Sequence, residues 1–454
     1  MIASPTVFQH MRATLTLGLP LIGGHLAQFA IGLTDTIMLG WYSIEALAAV
    51  TLAGSYFFMF FLVGSGFAWA VMPMVAGFAP GGDETSIRRV TRMGLWLSLI
   101  YACAAMPAFW WSEPVLLYLG QTEAVAALAS DYLQIAGWGI FPALLVTVLK
   151  SYLAALERTR IVLWVTVASA LVNVLGNYLF IFGHGPWPEM GAEGAALSSI
   201  MTHTTALCGA ALYAVLVFPN HQLFVRFWRA DWEMFWRVFK VGVPIGLTTL
   251  SEVSLFAASA VLMGWLGTIP LAAHGIAIQL ASAAFNLHLG LSNAATVRAG
   301  RAAGQRDMIG LRQGAIAVLI LSLIASLATM ALFLAQPETL VGLFLEAGNP
   351  DLPQTLAIGV HLLAVAALFQ LVDGAQVVAL GLLRGVQDTT IPMVMAALSY
   401  WCIGLPASYW LGFVWNMGGV GVWLGLVLGL AAAAALLLWR FWSRAMRPTA
   451  LSVA

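Results

Sequence analysis

Three carboxylates stand inside long apolar stretches of this chain: Asp35, Glu252 and Asp373. A charged residue at the centre of a bilayer costs about 2.5–3.5 kcal/mol on insertion scales, and acids kept there usually line an aqueous cavity or an ion path. Such groups take up protons or cations, or meet a cationic substrate. Asp131, near the start of another apolar stretch, is a weaker fourth candidate. Polar residues recur at helical spacing near these acids. Gln370, Asp373 and Gln376 follow at i, i+3, i+6 and share a face. Thr248 precedes Glu252 by one turn, and Gln28 lies seven residues before Asp35. Asn173 and Asn177 are one turn apart, and Gln279, Ser282, Asn286 and Asn293 form a stripe. Amide and hydroxyl oxygens around a carboxylate are the ligand set that a hard cation such as sodium needs. Helix-to-helix hydrogen bonding is the plainer role for any one of them.

These residues need helices to hold them. Of 454 residues, 61% are hydrophobic and only 8% charged, too few charges to cover a soluble protein of this length. A span takes roughly 20 apolar residues. Twelve candidate spans lie near 14–40, 46–79, 90–111, 124–149, 161–182, 191–217, 241–266, 271–297, 313–335, 355–383, 391–413 and 418–439. Spans 2, 4, 8 and 10 are longer than a bilayer requires, so they are expected to tilt or protrude.

Charge sets the orientation. With twelve spans all 19 Lys and Arg fall on one side, among them Arg12, Arg88, Lys150, Arg226, Arg298, Arg384, Arg444 and Arg447. The opposite loops carry Glu45, Glu113, Glu123, Glu189, Glu338, Glu346 and Asp351. Basic loops stay in the cytoplasm. Both termini are therefore expected there, in a bacterial inner membrane, and no Lys or Arg is expected at the depth of the three acids. Arg12 precedes a stretch too long for a signal peptide, so no cleaved leader is expected. The net charge of zero argues against nucleic-acid binding. Cys103, Cys208 and Cys402 are scattered, so neither a disulfide nor a metal motif is expected. The His residues lack zinc-ligand spacing and no nucleophile elbow is present, so no enzyme activity and no cofactor are expected.

The two halves resemble each other. At a shift of 224 residues Gly18-Leu19-Pro20 falls on Gly242-Val243-Pro244, Gly40-Trp41 on Gly264-Trp265, and Asp83 and Arg88 on Asp307 and Arg312. Six spans per half make a parallel repeat. The expected fold is an all-α membrane protein: two six-helix bundles related by a pseudo-two-fold axis along the membrane normal, a design that serves alternating access. The bundles are expected over 1–218 and 241–454, joined by a cytoplasmic interfacial segment, 219–240, rich in Trp and basic residues. The acids are not repeat-equivalent. Asp35 falls on Ser259, and Glu252 on Gln28.

Several stretches together resemble the multidrug and toxic compound extrusion (MATE) family, above all its NorM-type bacterial branch. They are Gly18-Leu19-Pro20 with Asp35, Asn173-x-x-x-Asn177-Tyr178, Glu252 after Pro244, and Phe369-Gln370-x-x-Asp373-Gly374-x-Gln376 followed by Gly385-x-x-Asp388. The resemblance implies export of small cationic organic compounds in exchange for Na+ or H+. It implies an ion or proton site at Glu252 and Asp373, with Na+ the one metal ion in view, and a second site at Asp35, Asn173 and Asn177. Gln28, Gln279, Asn286, Gln370 and Gln376 are candidate supporting groups, and Pro20 matches a helix-bending position. Phe369 departs from the pattern, since some relatives carry a Tyr there. The chain is expected to work as a monomer in membrane lipid. The rival reading is a flippase for a lipid-linked anionic precursor, which would want Lys or Arg centrally.

Overall fold

The computed structural model describes residues 6–345 and 352–445, with side chains through 443. Glu346, Asp351 and Arg447, and the side chain of Arg444, lie outside the described residues. Twelve helices among them are long and apolar enough to cross a membrane. They are α1 (Val7–Tyr42), α2 (Ile44–Gly81), α3 (Glu84–Trp110), α4 (Glu123–Ala155), α5 (Thr159–Phe180) and α6 (Gly191–Val217), then α7 (Trp232–Leu266), α8 (Thr268–Gly304), α9 (Met308–Ala335), α10 (Leu352–Gly385), α11 (Thr390–Val414) and α12 (Gly418–Ser443). The four spans expected to be over-long are so. In addition α1 runs 36 residues and α7 runs 35. A helix of that length reaches over 50 Å at 1.5 Å per residue, well beyond roughly 30 Å of hydrocarbon.

The duplication reappears in details of chain geometry. Asp83 and Asp307, equivalent at the shift of 224, cap α3 and α9 in the same way, accepting from Ser86 N at 3.0 Å and Gly310 N at 2.8 Å. A side-chain oxygen there satisfies one of the orphan donors of the first turn. A short helix then follows each capped span, Ser112–Tyr118 after α3 and Pro337–Gly342 after α9.

The chain divides into two compact units. One is Gly23–Gly246; the other takes the residues up to Ile22 together with those from Leu247 onward. Both α1 and α7 thus pass from one unit to the other. Each does so two residues beyond its internal proline, Pro20 or Pro244. Proline removes an i→i−4 hydrogen bond and weakens the helix at that turn.

Apolar burial alone drives little helix association in lipid, so small side chains and interhelical hydrogen bonds join the helices within a unit. Between α8 and α10, Ser292 Oγ donates to Val377 O at 2.7 Å, and Thr296 Oγ1 to Gly381 O at 2.9 Å. Gly374 is essential to that seam, because a Cβ there would stand 2.7 Å from His288 Cε1 and 2.8 Å from Ser326 Oγ.

The segment before α7 differs from expectation. Trp232, Phe235, Trp236 and Phe239 do not form a separate interfacial helix but belong to the first turns of α7. The preceding residues are held by α3. Arg92 donates to the carbonyls of Gln222, Leu223 and Val225, and Trp96 Nε1 to Phe227 O at 2.9 Å. Arg89 pairs with Asp231 and, at 2.8 Å, with Glu233. The guanidinium beside it holds the Asp231 carboxyl below its ordinary range.

Candidate functional site

In the Gly23–Gly246 unit, Asp35 of α1 meets the two asparagines of α5. Asn177 Nδ2 donates to Asp35 Oδ1 at 2.6 Å and Asn173 Nδ2 to the same oxygen at 3.0 Å. Both asparagines are fully buried, and Asp35 is half-buried. One helical turn separates Asn173 from Asn177, which is why both amides reach one carboxylate. The backbone of this turn is pinned by α6, where Ser198 Oγ donates to Asn173 O at 3.0 Å. Gly176, between the asparagines, permits that approach: a Cβ there would lie 2.6 Å from Ser198 Oγ. Asn177 Oδ1 is buried with no hydrogen-bond partner. Tyr132 of α4, not picked out from the sequence, lies within electrostatic reach of Asp35.

In the other unit Glu252 of α7 and Asp373 of α10 act on each other electrostatically and are 8% and 2% exposed. Gln370 and Gln376, on the Asp373 face of α10, are fully buried. The Gln376 amide is within hydrogen-bonding reach of Glu252, and its Nε2 donates to Tyr400 Oη of α11 at 2.5 Å. One oxygen of each acid, Glu252 Oε1 and Asp373 Oδ1, is buried without a partner, as are Gln370 Oε1 and Gln376 Oε1. Behind this centre His288 Nδ1 meets Ser322 Oγ at 3.1 Å. Ser326 Oγ donates to Gln370 O at 2.9 Å and fixes the backbone of α10 there.

Other candidates fall elsewhere. Gln28 is exposed on α1. Asn286 donates to Ser282 O at 2.8 Å, a bond within its own helix, and Gln279 is half-buried on α8. Asp131 lines a cavity of about 260 Å³ with Glu45 and Glu193. Phe369, without a hydroxyl, packs its ring against Phe256 and Trp423 at centroid distances of 5.9 and 5.7 Å.

One expectation is corrected. All Lys and Arg were expected on one side, with none at the depth of the three acids. Arg384 instead sits in the last turn of α10 and acts electrostatically on Glu252, and Lys150 lies within α4 near His25 and His203. The long stems of Lys and Arg let a helix-end residue reach well past its own Cα, and a loop-based count of charges cannot see that.

Twelve apolar helices with carboxylates buried among them define a multi-pass helical membrane protein. The family model MatE matches residues 20–179 and 244–410, two segments that begin 224 residues apart, the period of the internal repeat. The chain belongs to the MatE family. Among its relatives is the "Probable multidrug resistance protein NorM" of Rhizobium meliloti (strain 1021), 47% identical over 450 residues, spanning 98% of this chain and 96% of the relative. The protein of the same description from Synechocystis sp. is 36% identical over 445 residues, 98% and 96% of the two chains. The fold is shared with solved structures of low sequence identity. The eukaryotic MATE transporter AtDTX14 has a TM-score of 0.85 at 17% identity, over 98% of this chain and 99% of that one. An outward-facing multidrug resistance MATE family transporter has a TM-score of 0.86 at 19% identity, over 98% and 97%.

Proposed function

We propose that this protein is a secondary active exporter that moves small organic cations outward in exchange for Na+ or H+, by alternating access. The observation that carries the reading is the pair Glu252 and Asp373, two mutually repelling acids buried together, each with an oxygen that no protein donor satisfies. Arg384 acts on Glu252, while Asp373 meets the repulsion of Glu252, so the centre still favours added positive charge, which a cation, a proton or a cationic substrate supplies. Competition then couples the fluxes. An ion arriving from outside neutralises the acids, weakens the hold on a bound organic cation and lets it leave. Asp35, with Asn173 and Asn177, offers a second carboxylate centre in the other unit. The names of the curated relatives, multidrug resistance proteins, fit this substrate class. In this reading the chain acts as a monomer in a bacterial inner membrane, and the charge pattern supports an orientation with both termini in the cytoplasm.

One charge moving through 100 mV is worth about 2.3 kcal/mol, and 1.4 kcal/mol is tenfold in concentration, so one ion can sustain an export gradient of some tens-fold. The test uses purified protein in liposomes loaded with a fluorescent organic cation, under an imposed Na+ or pH gradient. Wild type should exchange under one of the gradients, and Asp373→Asn, inserted at equal density, should not. Undiminished exchange by Asp373→Asn would refute the mechanism. A folded wild type inert under both gradients would move the reading to a lipid flippase.

A further inference from the structure

The stretch that leads into α7 is basic and aromatic, and its acids are already engaged. Asp231 and Glu233 both pair with Arg89 of α3. Arg226, Arg229 and Lys240 are exposed, and none of the three pairs with an acid among the described residues. Arg226 and Arg229 close one turn, in which Arg229 N donates to Arg226 O at 3.1 Å and Arg226 takes a left-handed φ of 56°. A side chain other than glycine is uncommon in that conformation. Helix α3 fixes the shape of this turn through the bonds of Arg92 to Gln222, Leu223 and Val225 and of Trp96 to Phe227.

Indole rings accompany the charges. Trp228, Trp232 and Trp236 recur every four residues and are 77%, 62% and 53% exposed. In α7 this spacing puts Trp232, Trp236 and Lys240 on one face, while Met234, Phe235 and Val238 are buried in the protein. Large apolar rings left uncovered together need something to cover them. Helix α7 has 35 residues where about 20 cross hydrocarbon, and Arg237 and Lys240 keep its first turns, 232–240, in the headgroup layer. At that depth a Trp ring lies against glycerol and upper acyl carbons, and a guanidinium meets phosphate oxygens. Each Lys or Arg near an anionic leaflet is worth about fivefold in affinity.

We propose that this surface is a docking site for an anionic phospholipid in the leaflet on the basic side of the membrane. Its phosphate is taken by Arg226, Arg229 and Lys240, and its glycerol and upper acyl carbons lie against Trp232 and Trp236. The bound lipid anchors the first turns of α7. The site goes beyond the exchanger reading and does not depend on it, since the buried acids play no part in it.

Purified protein in neutral detergent, titrated with phosphatidylglycerol or with phosphatidylcholine and followed by native mass spectrometry, tests the proposal. Wild type should retain phosphatidylglycerol in preference to phosphatidylcholine of the same chain length. Arg226→Gln/Arg229→Gln/Lys240→Gln should lower the affinity for phosphatidylglycerol about a hundredfold, the fivefold per charge taken three times. Arg12→Gln/Arg306→Gln/Arg312→Gln removes as many exposed charges from the other unit and should bind as wild type does. Trp232→Leu/Trp236→Leu keeps every charge and should weaken binding several-fold. Thermal unfolding confirms that each variant is folded; if the variant at Arg226, Arg229 and Lys240 is not, the Trp variant decides. Equal affinity of wild type for the two lipids overturns the proposal, as does wild-type binding by the folded deciding variant. An equal loss in both triple variants overturns it as well, since the charges would then act without a site. Displacement of the lipid by inorganic phosphate alone would make this a site for free anions and overturn it too.

Discussion

At the scale of residues, the centre around Asp35 is arranged about one atom. Both asparagine amides converge on Asp35 Oδ1, at 2.6 and 3.0 Å. Hydrogen bonds to a charged group contribute about 1.5–3 kcal/mol each, and their loss leaves the carboxylate free to swing. Asn177→Ala should therefore slow cation exchange by about tenfold or more. The double variant Asn177→Ala/Asp35→Asn should be no slower than Asp35→Asn alone, because both changes act through one carboxylate. Exchange rates of the three variants in liposomes check this, and additive losses would mean that Asn177 works somewhere else. The Asp35 grouping was legible in the sequence because an acid in an apolar run and two amides one turn apart are both local patterns. Tyr400 was not. It is one of 10 tyrosines in a chain with 24 Phe and 18 Trp, and the π turn in which it stands, Ser399–Gly404, leaves no mark in a helical periodicity. Gln28 is exposed and Asn286 bonds within its own helix, so neither joins these groupings. Sharing a face with a functional residue does not say what that face meets.

Among the elements, the stretch before α7 shows how a connector is ordered with one short 3-10 turn, Pro219–His221, at its start. Hydropathy and aromatic spacing suggested a helix resting on the membrane surface. The arginines of α3 instead satisfy its carbonyls: Arg92 serves Gln222, Leu223 and Val225, and Arg89 ties down Asp231. The sequence hides this because residues 92 and 223 are far apart in the chain, and a basic residue near a span reads simply as an orientation signal. Removing Arg92 should open this stretch to protease, since three backbone acceptors lose their donor together. Limited trypsin digestion should cleave Arg92→Ala near Arg226 and Arg229 several-fold faster than wild type, as expected for backbone that opens locally. The Asp231 carboxyl is depressed in the folded protein, by its bond to Arg89 first. Its stabilisation is thus complete above the ordinary Asp range and lost as pH falls through the folded-state value. Acidification should then speed cleavage of this stretch in wild type by pepsin, a protease active in acid, and Asp231→Asn should show faster trypsin cleavage already at neutral pH. Equal digestion of Arg92→Ala and wild type would show that the connector is held by something other than α3.

For the whole molecule, the internal repeat and the division into units meet at two prolines. Pro20 and Pro244 are equivalent at the shift of 224, and two residues beyond each the helix leaves one compact unit for the other. The duplication was readable from shared landmarks, and the matching caps at Asp83 and Asp307 repeat it in the backbone. The crossing of α1 and α7 was not readable, because hydropathy assigns a helix to a membrane but not to a partner. A missing i→i−4 hydrogen bond makes each crossing the easiest place for its helix to bend. Units that move during exchange must strain the two helices they share, so restoring that bond should slow the motion without touching the carboxylates. Pro20→Ala/Pro244→Ala should bind a fluorescent organic cation with wild-type affinity yet exchange it more slowly, by about tenfold if one further hydrogen bond must be broken per cycle at each helix. Binding followed by tryptophan quenching in detergent, set against exchange rates in liposomes, separates the two quantities. Loss of affinity in parallel with rate would place the prolines in the shape of the binding centre. An unchanged rate would mean that neither crossing bends during turnover, and that the motion takes place within each unit.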